Sequence, residues 1–137
     1  MNAKNLRLVA KRLARSRTFD QTMWVNHCGT PACIAGHAAA CSLKDGEKLV
    51  AGVDPLDAWV CKPHGRKQTV EARARAFLGL TGAIADKLFG PWPESKYGCW
   101  PEPFRGEWAA AGDDIKKQRA VAVRYLRHLA DNAEASP

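Results

Sequence analysis

From Lys4 to Ser16, apolar residues at Leu6, Val9, Ala10 and Leu13 recur at helical spacing, and Lys4, Arg7, Lys11 and Arg15 fall on the opposite side. The pattern predicts an amphipathic helix with a basic outer face. Leu8 falls near that face and has no place in the simple picture. Further along, Thr69 is suited to cap a helix through Leu78, with Val70, Ala74, Phe77 and Leu78 inward, Glu71, Arg73 and Arg75 outward, and Gly79 closing it. Thr81 starts a shorter helix holding Ile84, Ala85, Leu88 and Phe89, stopped by Gly90-Pro91. The last helix is predicted from about Asp113 to about Asp131. Ile115, Ala122, Leu126 and Leu129 make its inner stripe, and Lys116, Lys117, Arg124, Arg127 and His128 its outer side. Asp113 and Asp114 suit the dipole at its start.

Between these helices the pattern is less regular. Thr30-Pro31 reads as a helix start, with Thr as N-cap and Pro at the first helical position, which predicts a central small-residue helix over about 31–42. From Lys44 to Arg66 turn residues are frequent, and short helical pieces are expected around 47–51 and 55–60. Trp92, Tyr97, Trp100, Phe104 and Trp108 are interleaved with prolines in a segment that reads as a loop wrapping the core. No strand-like alternation of useful length and no internal repeat is visible, so the expected class is all-α. The expected architecture is a single-domain helical bundle over 1–132 around the central helix, with a frayed tail at 133–137 and the Trp/Pro-rich loop as cover.

A chain of 137 residues fits one domain. Its formal charge of +7 favours acidic partners such as nucleic acid, nucleoprotein or acidic protein faces. The odd set of cysteines, Cys28, Cys33, Cys41, Cys61 and Cys99, argues against a secreted disulfide framework and for reduced thiols in a cytoplasm. The Arg-rich, acid-free start superficially matches an organelle transit peptide, but the same pattern is an ordinary first helix. Between Asp20 and Lys44 no residue is formally charged, yet Asn26, His27, Gly29, Thr30, Pro31, Gly36 and His37 make a poor membrane span.

The stretch His27 to Cys41, HCGTPACIAGHAAAC, is chemically the most unusual. On a helix from Pro31, Cys33, His37 and Cys41 project from one side, the outer two about 12 Å apart. A zinc site would more naturally combine His37 and Cys41 with Cys61 and His64, with His27 and Cys28 as spare donors, but the paired Cys-x-x-Cys knuckle is missing. A thiol enzyme would use Cys33, near the start of a helix, with His64 or His128 as base. The favoured reading assigns neither. Alanine, glycine and cysteine there leave little bulk, so neighbouring elements approach the backbone closely and cysteine acts as a small buried hydrophobe. No resident metal, cofactor or catalytic residue is expected.

Phe19, Met23-Trp24, Cys28-Gly29-Thr30-Pro31-Ala32-Cys33-Ile34-Ala35-Gly36, Leu78-Gly79-Leu80, Leu88-Phe89 and the Trp-Pro pairs together resemble a scattered group of small bacteriophage and bacterial proteins carrying a CGTxACIAGW-like segment. The resemblance spans roughly Phe19 to Trp108 and implies a phage or prophage setting without implying an activity. Such proteins commonly have Trp where this chain has His37, which argues against an essential catalytic role for that histidine.

The expected function is therefore a non-enzymatic cytoplasmic binding protein that docks onto a host protein or nucleoprotein complex as an inhibitor or modulator. An anti-defence, for example anti-CRISPR, protein is one concrete form. The expected binding surface is Lys4, Arg7, Lys11 and Arg15 with Lys116, Lys117, Arg124 and Arg127. A third basic cluster of Lys62, Arg66, Lys67, Arg73 and Arg75 would extend it. Direct nucleic-acid binding through these faces is the alternative, although no reading motif is present.

Overall fold

A computed structural model describes residues 1–26, 28–53, 57–95 and 100–136. The two helices with the clearest periodicity pair with each other. The first, α1 (Ala3–Arg15), buries Leu6, Val9, Ala10 and Leu13. The last helix spans Ile115–Ala135 and buries Val121, Ala122, Tyr125, Leu126 and Leu129. They run antiparallel: Arg7 of α1 reaches Asp131 and Glu134 at 2.8 and 2.7 Å. At the other end the Arg119 guanidinium donates to the Ser16 carbonyl.

In chain order the remaining elements are α2 (Ile34–Cys41), β1 (Lys48–Ala51), β2 (Ala58–Cys61), β3 (Lys67–Thr69), α3 (Val70–Leu78), α4 (Gly82–Phe89) and α5 (Phe104–Ala111), which makes the final helix α6. The all-α expectation is thus incorrect: the fold is mixed, with six helices and an antiparallel sheet of order β1-β2-β3 among the described residues. Lys48 pairs with Cys61 and Trp59 with Thr69. The helical pieces expected at 47–51 and 55–60 give way to β1 and β2, residues 54–56 lying outside the described part. Strands of three or four residues are too short to show alternation as a signal, yet the sheet has a clear inner face. Ala58 and Val60 are buried while Trp59 and Cys61 are half-exposed, and the Lys67 ammonium stands 4.3 Å from the Trp59 ring centroid.

Three further boundaries move. Ile115, placed in the inner stripe by periodicity, is 51% exposed because helix packing begins a turn and a half later, at Val121. The tail expected to fray from 133 continues α6 through Ala135. Within the expected wrapping loop, Phe104 to Ala111 is helical; Pro103 immediately before Phe104 fits a helix entry as well as a loop. Trp100 is fully buried, donates its indole N–H to the Lys87 carbonyl at 3.1 Å, and packs against Trp108 and Tyr125. Trp92 is exposed, and Tyr97 lies outside the described residues.

Arg73, expected to point outward, is buried. Its guanidinium donates to both Glu47 oxygens at 2.8 and 2.5 Å, to Gln68 Oε1 at 2.9 Å and to the Ser42 carbonyl at 3.2 Å. These bonds join α3 to the chain entering the sheet. Hydrogen bonding from Arg73, and secondarily from the Lys44 N–H, holds the Glu47 carboxyl down at about 2.

The centre of the molecule is α2, whose Ile34, Ala35, Ala38 and Ala39 have no exposed surface. It packs on α3 and on α1. A β-carbon on Gly36 would lie 1.9 Å from the Trp24 carbonyl oxygen, so only glycine allows the 24–31 segment to rest on this helix.

Candidate functional site

The segment before α2 folds back on itself. Val25 bridges Pro31, the Asn26 Oδ1 accepts the N–H groups of Cys28 and Thr30 at 3.1 and 3.0 Å, and the Asn26 N–H donates to the Thr30 carbonyl at 2.9 Å. This closed loop commits Pro31 to a bridge, so the helix cannot start there. The N-cap is Cys33, not the expected Thr30, and its sulfur accepts the Gly36 N–H at 3.4 Å.

That placement sets the surroundings of the Cys33 thiol. Burial pushes the Cys33 thiol up to about 12, although the helix-start amides act the other way. Its sulfur meets backbone groups, at Gly36 and Trp24, while His64 sits on the exposed turn Pro63–Gly65 after β2 and is not among its partners. The fallback pair Cys33 and His64 is therefore not assembled. Cys28, exposed at the loop tip, is expected to alkylate with iodoacetamide at least about a hundredfold faster than Cys33. Mass spectrometry of the labelled peptides checks this; equal rates in the folded protein would contradict the burial.

The fallback metal set is not assembled either. His37 is buried in the middle of α2, Cys41 is half-buried at its end, and Cys61 and His64 belong to the sheet and its turn. Among the described residues no three His, Cys, Asp or Glu side chains are grouped to hold a metal ion. The spare donor His27, and Cys99, lie outside the described residues.

What the segment does build is one wall of a cleft of about 480 Å³. Thr30 and Pro31 form that wall, the turn at Ser16 and Thr18 closes one end, and the other wall is α1. From α1 come Leu8, Lys11, Arg12 and Arg15. These four have the spacing i, i+3, i+4, i+7, a single helical stripe. Leu8, unexplained by the inward pattern, is the apolar member of this outer stripe and is 46% exposed. No ion-pair partner is found for Lys11, Arg12 or Arg15 among the described residues.

His37 lines the base of the cleft, 2% exposed. Its Nε2 lies 3.3 Å from the Thr18 carbonyl oxygen, so this nitrogen carries the proton, and Nδ1 is left as a buried acceptor without a partner. Burial first, and the neighbouring Arg12 guanidinium second, hold the imidazole at about 4 against the opposing pull of the Thr18 carbonyl. The ring is neutral near pH 7.

The expected binding surface divides. Arg7 is ion-paired with Asp131 and Glu134, and Arg124 with Glu107, so these two are neutralised. Lys4, Lys11, Arg15, Lys116, Lys117 and Arg127 are exposed with no ion-pair partner among the described residues. A smaller groove of about 280 Å³ runs beside Ala14, Lys116, Arg119 and Arg127, on the α6 side of α1. Arg12 and Arg119 escaped the sequence reading because each lies on the flank of its helix, between the buried and outer stripes. In the third cluster Arg73 is buried and neutralised and Lys67 stacks on Trp59.

No family model matches the chain, and neither the curated proteins nor the solved structures give a match. Among the described residues no helix is long and apolar enough to cross a membrane.

Proposed function

We propose that the protein is a non-enzymatic binding module that docks its basic side onto the acidic surface of a host protein or nucleoprotein complex in a bacterial cytoplasm. The observation that carries this reading is the row Lys11, Arg12 and Arg15 beside an open cleft, with no ion-pairing carboxylate among the described residues. Exposed cations left unpaired beside a concavity favour an anionic partner and speed its approach. Lys116 and Arg127 widen the positive side across α6. Inhibition of a host system, and the phage or mobile-element setting, are supported only by the motif resemblance.

Affinity capture from bacterial lysate, with wild type beside the Arg12→Glu/Arg15→Glu double variant, tests the reading. The wild type is expected to enrich a partner that the variant loses by about tenfold or more, as charge reversal at an interface both removes attraction and adds repulsion. Nuclease treatment separates a protein surface from a nucleic-acid one. A partner retained equally by both proteins would sink the assignment of this face.

A further inference from the structure

We infer that the cleft between α1 and the Thr30-Pro31 wall is a binding site for a phosphate monoester joined to a compact, partly apolar group with hydrogen-bond donors, the chemistry of a mononucleotide unit. The inference deepens the docking proposal and rests on its reading of this side as the binding face.

Charge is the first reason. Lys11, Arg12 and Arg15 line one wall and have no ion-pair partner among the described residues, and a phosphate monoester brings a charge of about −1.5 to −2 near pH 7. Guanidinium forks meet phosphate oxygens through paired charge-assisted hydrogen bonds, so two arginines and one lysine suit this group better than a single carboxylate.

Size and polarity say what else the ligand carries. A volume of about 480 Å³ is well beyond one tetrahedral anion. It lies within the roughly 300–1,000 Å³ of small-molecule sites. Leu8, 46% exposed among cations, offers apolar surface for a flat or compact group. Guanidinium planes also stack on bases. Beneath them His37 Nδ1 is a buried acceptor lacking a donor. The phosphoryl group of a monoester dianion has no proton to give it, whereas a ribose hydroxyl or exocyclic amine does. Bare phosphate would leave the apolar strip uncovered.

Titration of the full-length, isotope-labelled protein with AMP, adenosine and inorganic phosphate tests this by NMR. AMP is expected to give saturable shifts confined to residues 8–18 and 30–37. Adenosine and phosphate separately should bind at least about tenfold more weakly. Arg12→Gln/Arg15→Gln, which replaces two exposed side chains, should weaken AMP by about tenfold or more. A tetranucleotide with a 5′-phosphate, compared with the same strand lacking it, separates a strand end from a free nucleotide as the source. No saturable response to millimolar AMP, adenosine binding as tightly as AMP, or unchanged binding in the double variant would each overturn the site. If AMP fails while partner capture still depends on Arg12 and Arg15, the nucleotide site falls and the docking proposal stands.

Discussion

Gly36→Ala is expected to destabilise the protein by about 3 kcal/mol or more, toward the upper end of overpacking effects. The new methyl carbon would stand 1.9 Å from the Trp24 carbonyl oxygen and within 3.4 Å of the Pro31 Cα, so it meets backbone on both counts. A flexible side chain could swing away; these atoms cannot without opening the 24–31 loop. That carbonyl also accepts the Ala32 N–H at 3.1 Å, so displacing it breaks the turn that leads into α2. Ala40→Gly, at a half-buried position of the same helix, is the control and is expected to cost only about 1 kcal/mol through helix propensity. Urea denaturation of both variants measures the difference. Similar losses in the two would show that Gly36 is replaceable and that the close approach does not hold the loop in place.

The second large effect is an acid-dependent loss of stability from His37. The unfolded chain takes up a proton near the ordinary histidine value of 6.5, whereas burial holds the folded ring at about 4. Between those values the unfolded state binds more protons, so stability falls as pH drops below about 6.5 and this contribution is fully lost below about 4. The size is of the order of 3 kcal/mol. Glu47, held at about 2 with Arg73, has the same sign: its stabilisation is present above the ordinary carboxyl range and is lost as pH falls through about 2. The two are separable because only the histidine changes between the upper carboxyl range and neutrality. His37→Leu is expected to flatten the pH dependence of the denaturation midpoint between 4 and 6.5, whatever its effect at pH 7. A slope in that window identical to wild type would show that the ring is already solvated.

How far the fold could be read from the chain depended on element length. Leu6, Val9, Ala10 and Leu13 in α1, and Val70, Ala74 and Leu78 in α3, run through two turns or more, long enough for a 3.6-residue period to show. The caps of α3 behaved as their chemistry suggests: the Thr69 hydroxyl accepts the Ala72 N–H, and Gly79 takes the left-handed conformation at φ 64°. The sheet was invisible because its strands hold three or four residues, and only their pairing across the turns makes them strands. Arg73 looked like surface from its spacing; a carboxylate twenty-six positions earlier puts it inside. The cleft was half legible. Its cations lay in view on α1, but the wall opposite depends on the Asn26-centred loop, and no residue spacing encodes that a helix start will be moved from Pro31 to Ile34.

The α1–α6 pairing has a consequence for when this cleft comes into being. Both of its walls come from residues 8–37, yet α1 is held in place by a helix more than a hundred positions further along the chain. Joining segments more than a hundred residues apart requires closing most of the polypeptide into one loop, an entropic barrier that local contacts in the front half do nothing to lower. Formation of the cleft should therefore be all-or-none with the docking of α6, and loosening that helix should dismantle the cleft while sparing every residue that lines it.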